Sequence, residues 1–178
     1  MSQRIGYVRA ASLLVSLLAA WALLVSFAGS AVAADRIFLK IGDIKGESTD
    51  DKHKDEIDVL SFSQSFTRPG TCSDFTIFKG IDRASPPLIA SALTQTIYPT
   101  AELKVDRQGE SPAEYLIIRL EPVRVDSVNL SETNGASPVE QVGLAFQSLT
   151  VTYKPQTSDG SLGPPVVATI TCRGGGGR

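Results

Sequence analysis

The chain has a single histidine, His53, set in the run Asp50-Asp51-Lys52-His53-Lys54-Asp55-Glu56, and two cysteines, Cys72 and Cys172. An imidazole among carboxylates suits divalent-metal ligation or general-base catalysis. A calcium loop of the helix-loop-helix kind needs acids at alternating positions, a central glycine and a terminal glutamate. Here two lysines are interleaved, so the run reads as a solvated charged loop and no metal site is expected. A Ser–His–Asp triad using His53 as base would need an arbitrarily chosen serine, because there is no G-x-S-x-G elbow. Either cysteine acting as nucleophile would have only the same histidine to activate it. The sequence contains no phosphate loop and no dinucleotide fingerprint, and with 19 acidic residues a carboxylate pair says little about glycosidase chemistry. The expectation is a protein without catalytic residues or cofactor.

Other chemistry-bearing residues read as structural. Phe62, Phe66, Phe75, Phe78, Tyr115 and Phe146 could line a pocket, but aromatics at strand spacing are mostly core. Asn129-Leu130-Ser131 fits the N-glycosylation pattern and is taken as incidental.

Stepping along the chain, Met1 to Arg9 carries Arg4 and Arg9 with no acid, Ala10 to Ala28 is almost wholly apolar, and small residues run from Gly29 to Ala34. That is the pattern of a secretory signal peptide over 1–34, cleaved near Ala33/Ala34. The alternative is an uncleaved anchor, since about 19 apolar residues can just span a bilayer. Cleavage predicts a secreted or periplasmic protein with no stable membrane insertion. The full chain, with 17 basic and 19 acidic residues, carries a net charge of −2. Without the leader's two arginines the charge falls to roughly −4, and no Lys/Arg run remains to neutralise phosphates, so nucleic acid is not expected as a partner. In an oxidising compartment Cys72 and Cys172 are expected to form one disulfide, two buried free thiols being the alternative.

From Asp35 onward the apolar pattern has period two, the signature of strands with one buried face. Ile37, Leu39 and Ile41 alternate with Phe38 and Lys40. Leu60, Phe62 and Phe66 share a parity, as do Phe75 and Ile77, Leu103 and Val105, Leu116, Ile118 and Leu120, and Val123 and Val125. Pro122 interrupts the longest run and should mark a bend, bulge or edge. Between Phe146 and Leu149 the parity switches, as at a bulge or a corner between sheets. In the last strand Val166, Ala168, Ile170 and Cys172 fall on the face expected to point inward. One helix is convincing, with Ser85 as N-cap, Pro86 in the first turn and an apolar stripe of Leu88, Ile89, Ala92 and Leu93. The fold class is therefore mainly β, a small antiparallel β-barrel of two curled sheets with one short α-helix, over residues 35–173. Residues 174–178 form a flexible glycine-rich tail.

The segment Ile37-Phe38-Leu39-Lys40-Ile41-Gly42-Asp43-Ile44-Lys45-Gly46-Glu47-Ser48, followed by His53 and Glu56-Ile57-Asp58-Val59, closely resembles the opening of Hcp, the haemolysin-coregulated protein family of type VI secretion. Further blocks follow in order: Asp74-Phe75 with Phe78-Lys79 and Asp82, Ser85 to Leu88, Tyr98 to Leu103, Glu114 to Leu120, and Val151 to Gln156 with Asp159-Gly160. The resemblance covers nearly all of the expected mature chain. It implies a non-enzymatic structural protein whose copies self-associate into six-membered rings, the rings stacking into a secretion tube that can carry protein cargo or effectors. The alternative is an exported Hcp-like binding module working outside the cytoplasm without a tube. Two features depart from the family: the leader, and the short stretch Thr67 to Ser73 where typical members carry a longer glycine-rich loop.

Overall fold

The computed structural model of the protein describes residues 34–67, 70–108 and 112–172. The leader expected over 1–34, save Ala34, and the tail at 174–178 lie outside the described residues. None of the described helices is long and apolar enough to cross a membrane.

The alternating segments form eleven strands among the described residues: β1 (Arg36–Ile41), β2 (Ile57–Val59), β3 (Ser61–Ser63), β4 (Phe66–Thr67), β5 (Thr71–Cys72), β6 (Phe75–Gly80), β7 (Ile97–Tyr98), β8 (Ala101–Arg107), β9 (Ala113–Ser131), β10 (Val139–Tyr153) and β11 (Val166–Thr171). Among the described residues one helix, α1 (Ser85–Thr94), lies between β6 and β7. The main sheet has the order β2-β1-β8-β9-β10-β6-β3, every pairing antiparallel. Its two end strands are consecutive in the chain and separated only by Leu60, whose N–H bonds the carbonyl of Phe78 at 2.7 Å. One short segment thus supplies both edges, and the sheet curls into a nearly closed barrel. This is the expected fold class, though one continuous sheet curls where two were anticipated.

The inward face is set by Leu39, Ile41, Ile57, Phe75, Ile77, Leu103, Val105, Leu120, Val123, Val125, Val142, Leu144 and Leu149, all buried in one cluster. Near β2 the parity differs from expectation. Ile57 and Val59 point inward, while Leu60 is 65 % exposed and Phe66 51 %. The chain changes partner at Leu60, so the alternation there belongs to two short strands rather than one. Phe38, assigned by alternation to the wet face, is fully buried because the 42–56 loop folds over it.

Strands β9 and β10 form the spine of the barrel. Pro122 falls where the neighbour of β9 changes: β8 pairs as far as Leu120, and β7 begins at Val123. A residue without an N–H suits that gap. The register shift between β9 and β10 lies at Gly143/Leu144, leaving Asp126 as the extra residue, and not between Phe146 and Leu149. At the latter place the register holds while both strands switch their buried face together, from Val123 and Phe146 to Leu120 and Leu149. Such a switch is what a strand pair undergoes when it turns a barrel corner.

The outer strand β11 pairs only with the C-terminal half of β10. Val166 and Ala168, expected to point inward, are exposed; only Ile170 and Cys172 on that face are half-buried. An edge strand lacks a second neighbour to cover it. The hairpin β4–β5 pairs only with itself, as a separate two-stranded sheet. A disulfide joins Cys72 at its end to Cys172, with Cα atoms 5.6 Å apart, and the Cys172 N–H bonds Gln147 O at 2.9 Å.

Closing a loop of about 100 residues should stabilise the fold by roughly 4 kcal/mol. Dithiothreitol is therefore expected to lower the melting temperature by about 10 °C, and an unchanged value would show the bond to be energetically idle.

Burial, reinforced by the Asp126 carboxylate, raises the pKa of Asp74 above its ordinary 3.8. A raised carboxyl binds its proton more tightly folded than unfolded, so its contribution to stability falls as pH rises past 3.8 and stays lower above. Asp74→Asn should therefore gain melting temperature over the unmodified protein at pH 7 and lose that advantage near pH 3. A variant less stable at pH 7 would contradict this.

Candidate functional site

The 42–56 loop is built by backbone pairing to itself. Gly46 N–H bonds Asp55 O at 2.8 Å, Ser48 N–H bonds Glu56 O at 3.1 Å and Asp55 N–H bonds Ser48 O at 3.0 Å. A Cβ on Gly46 would collide with the Glu56 carbonyl, so only glycine permits this approach. The turn at 50–53 is held by Asp50, whose carboxylate accepts the Lys52 N–H at 2.9 Å and pairs with Arg36 at 2.9 Å. Those contacts, the Lys52 N–H first, hold the Asp50 pKa below its ordinary value.

This architecture drives His53 inward, which corrects the expectation of a solvated loop. His53 is 3 % exposed and stacks on Phe38 with ring centres 4.1 Å apart. Its Nδ1 lies 3.0 Å from Glu56 Oε2 and its Nε2 lies 3.2 Å from Asp106 Oδ2. Lys104 stands 3.4 Å from the other Glu56 oxygen. Burial disfavours the Lys104 ammonium, but the Glu56 and Glu102 carboxylates outweigh it and hold its pKa above the usual lysine value. Because carboxylates engage both ring nitrogens, the imidazole faces neither a serine nor a thiol, and both cysteines are oxidised. General-base activation of a nucleophile has no geometry here.

A second polar cluster anchors the helix. Lys79, fully buried, donates to Glu140 Oε1 at 2.6 Å, Asp82 Oδ1 at 2.6 Å and Gly80 O at 2.7 Å. Ser85 Oγ donates to the same Glu140 oxygen at 2.9 Å. Ser85 is the first residue of the helix rather than its cap; Ala84 occupies the cap position. Asp82 supplies the acceptor instead, taking the Ala84 N–H at 2.8 Å. Of the expected helical stripe, Leu88 is buried and Leu93 is 83 % exposed. At the C-terminal end Ser91 and Tyr98 hydroxyls meet at 2.5 Å.

The sequence held a usable signal for this cluster. Lys79 is in phase with the inward Phe75 and Ile77, and Glu140 with the inward Val142 and Leu144. Two opposite charges each in phase with a buried face predict each other. Asp106 offered no such signal, since it follows an irregularity in the β8–β9 register between Val105 and Asp106.

The barrel exterior carries a different feature. Leu93, Ile97, Leu130, Val166 and Val167 are large apolar side chains exposed to solvent. Leu93 and Ile97 lie close in sequence around the end of α1, and Val166 and Val167 start the free edge strand β11. Among the expected aromatics, Phe75 and Phe146 are core and Phe62 stacks on Phe75 at 5.6 Å, whereas Phe66 sits outside on the hairpin.

Comparison with known proteins matches this geometry. The family described as "Type VI secretion system effector, Hcp" matches residues 38–153. Protein hcp1 of Pseudomonas aeruginosa is 37 % identical over 140 residues, covering 70 % of this chain and 86 % of that protein. The crystal structure of Hcp1 from Salmonella typhimurium superposes with a TM-score of 0.70 at 32 % identity, covering 78 % of this chain and 95 % of that one. A type VI secretion system effector from Yersinia pestis superposes with a TM-score of 0.67 at 29 % identity, over 76 % of this chain and 98 % of its own.

Lys79→Met would leave Glu140 buried without its cation, a loss of about 3–5 kcal/mol. The double replacement Lys79→Met with Glu140→Leu should recover much of it. Urea denaturation of both variants checks this, and equal losses in the two would refute the coupling.

Proposed function

The chain belongs to the Hcp family of type VI secretion, and on that premise we propose that it works as a ring-forming structural subunit without catalytic activity. The observation that carries the reading is where the exposed apolar surface lies. Leu93 at the helix end, Ile97 on β7, and Val166 and Val167 on the outer strand β11 are exposed on the surface of the nearly closed barrel. Apolar groups so placed gain from covering by another protein surface, and a ring of like subunits covers each copy's patch with its neighbour's complement. The buried histidine and lysine clusters then keep the barrel rigid rather than perform chemistry. A lumen of such a ring would hold protein cargo, and a leader cleaved near Ala34 would place the subunit outside the cytoplasm.

The disulfide favours a second reading. A bond between Cys72 and Cys172 needs an oxidising compartment to form and persist, which suits an exported module that binds a partner of its own without a tube.

Light scattering of the purified protein separates the two. A particle of about six subunits, lost in Leu93→Asp or Val167→Asp while circular dichroism stays unchanged, is the expected result. A monomer at every concentration, under oxidising and reducing conditions alike, would overturn the ring.

A further inference from the structure

The consecutive strands β8 and β9 and the distant 42–56 loop bring carboxylates and the imidazole together at one end of the barrel. The β8–β9 register shifts between Val105 and Asp106, and beyond the shift Asp106 and Glu114 become directly opposed partners. Like charges at opposed positions of an antiparallel pair repel, and register irregularities of this kind commonly re-aim side chains toward sites. His53 closes the group, its ligand atom and those of Asp106 and Glu114 all lying within 4.8 Å of one another. Asp106 is 3 % exposed, and its Oδ1 is sealed from solvent with no hydrogen-bond partner. A buried carboxylate oxygen left unpaired is unfavourable, and a second carboxylate within 4.8 Å of the same group adds to the call for a positive charge.

We propose that His53 Nε2, Asp106 and Glu114 form a binding site for a divalent cation of the zinc class. One nitrogen and two carboxylate oxygens suit zinc, whereas calcium and magnesium prefer all-oxygen surroundings of higher coordination. Two carboxylates and a neutral imidazole balance the ion's charge. Glu56 Oε2, 3.0 Å from Nδ1, is placed to give the outer support common to such sites: with the proton on Nδ1, the Nε2 lone pair points toward Asp106 and the ion. Phe38, stacked on the ring, keeps it from turning away. Lys154 stands 3.4 Å from Glu114 Oε1, which leaves Oε2 for the ion. Ligand atoms around tetrahedral zinc lie about 3.4 Å apart, so the trio must draw in by roughly an ångström. Glu114, half-buried near the start of β9, can supply that by side-chain rotation. Three protein ligands leave a fourth position for water. Bound there, the ion would pin the 42–56 loop to β8 and β9.

The chain's single histidine makes the test specific. Tag-free protein stripped with chelator is titrated with zinc chloride by calorimetry, and the imidazole is followed by proton–nitrogen correlation spectra. The expected result is one zinc per chain, a higher melting temperature, and an Nε2 resonance that shifts and carries no proton in the zinc-bound protein while Nδ1–H is present. Glu56→Gln should weaken binding about 10–100-fold at unchanged stoichiometry, and Glu114→Gln should weaken it by at least about tenfold. Glu114 is only half-buried, so its variant remains informative should Asp106→Asn or His53→Gln fail to fold. Absence of saturable binding, equal affinity in Glu114→Gln, or an imidazole still carrying both protons in excess zinc would overturn the proposal. The last outcome would identify the group as an imidazolium clamped between two carboxylates.

Discussion

The barrel depends on one segment occupying both edges of its sheet. Ile57 to Ser63 pairs with β1 on one side and with β6 on the other, so closure is achieved by continuity of the chain across Leu60. Exposed sheet edges are templates for unwanted pairing, and closure brings the two end strands of the main sheet together, leaving β11 as an outer edge. The same closure dictates register. Because side chains alternate with period two, a slip of one residue in this segment would send Ile57 and Val59 outward and unseat the core.

What leaves that segment at each end is positioned by it. Before it, the 42–56 loop must return along β1, and does so across Phe38, which converts a charged run into a lid with a buried histidine. After it, the chain passes into the β4–β5 hairpin, which has no pairing with the main sheet and is tied down by the Cys72–Cys172 bond. Apolar packing fills the barrel wall, while charged clusters sit where regular pairing ends: Lys79 and Glu140 beneath the helix, His53 and Asp106 beneath the loop. Buried charges are tolerated only when paired and hydrogen-bonded. Both clusters therefore specify how the helix and the loop dock, since a shifted docking would strand a charge.

The sequence by itself determined the strand faces wherever a strand keeps one partner along its length. Leu39 and Ile41, Leu103 and Val105, Ile118 and Leu120 all fall as alternation requires, because burial of one face is a local consequence of period two. The ordered Hcp-like blocks, too, were readable without coordinates, and with them the family. Tertiary structure alone decided the exceptions. Leu60 and Phe66 face solvent because the chain changes partner between them and the core, Val166 is wet because β11 has no outer neighbour, and Phe38 is dry because a distant loop covers it. The fate of His53 belongs to the same class. Six charged neighbours made the run look solvated, and nothing in its own spacing signals that Phe38 and Asp106 lie beneath it; burial of a loop is fixed by what it folds against, which is a property of the assembled chain.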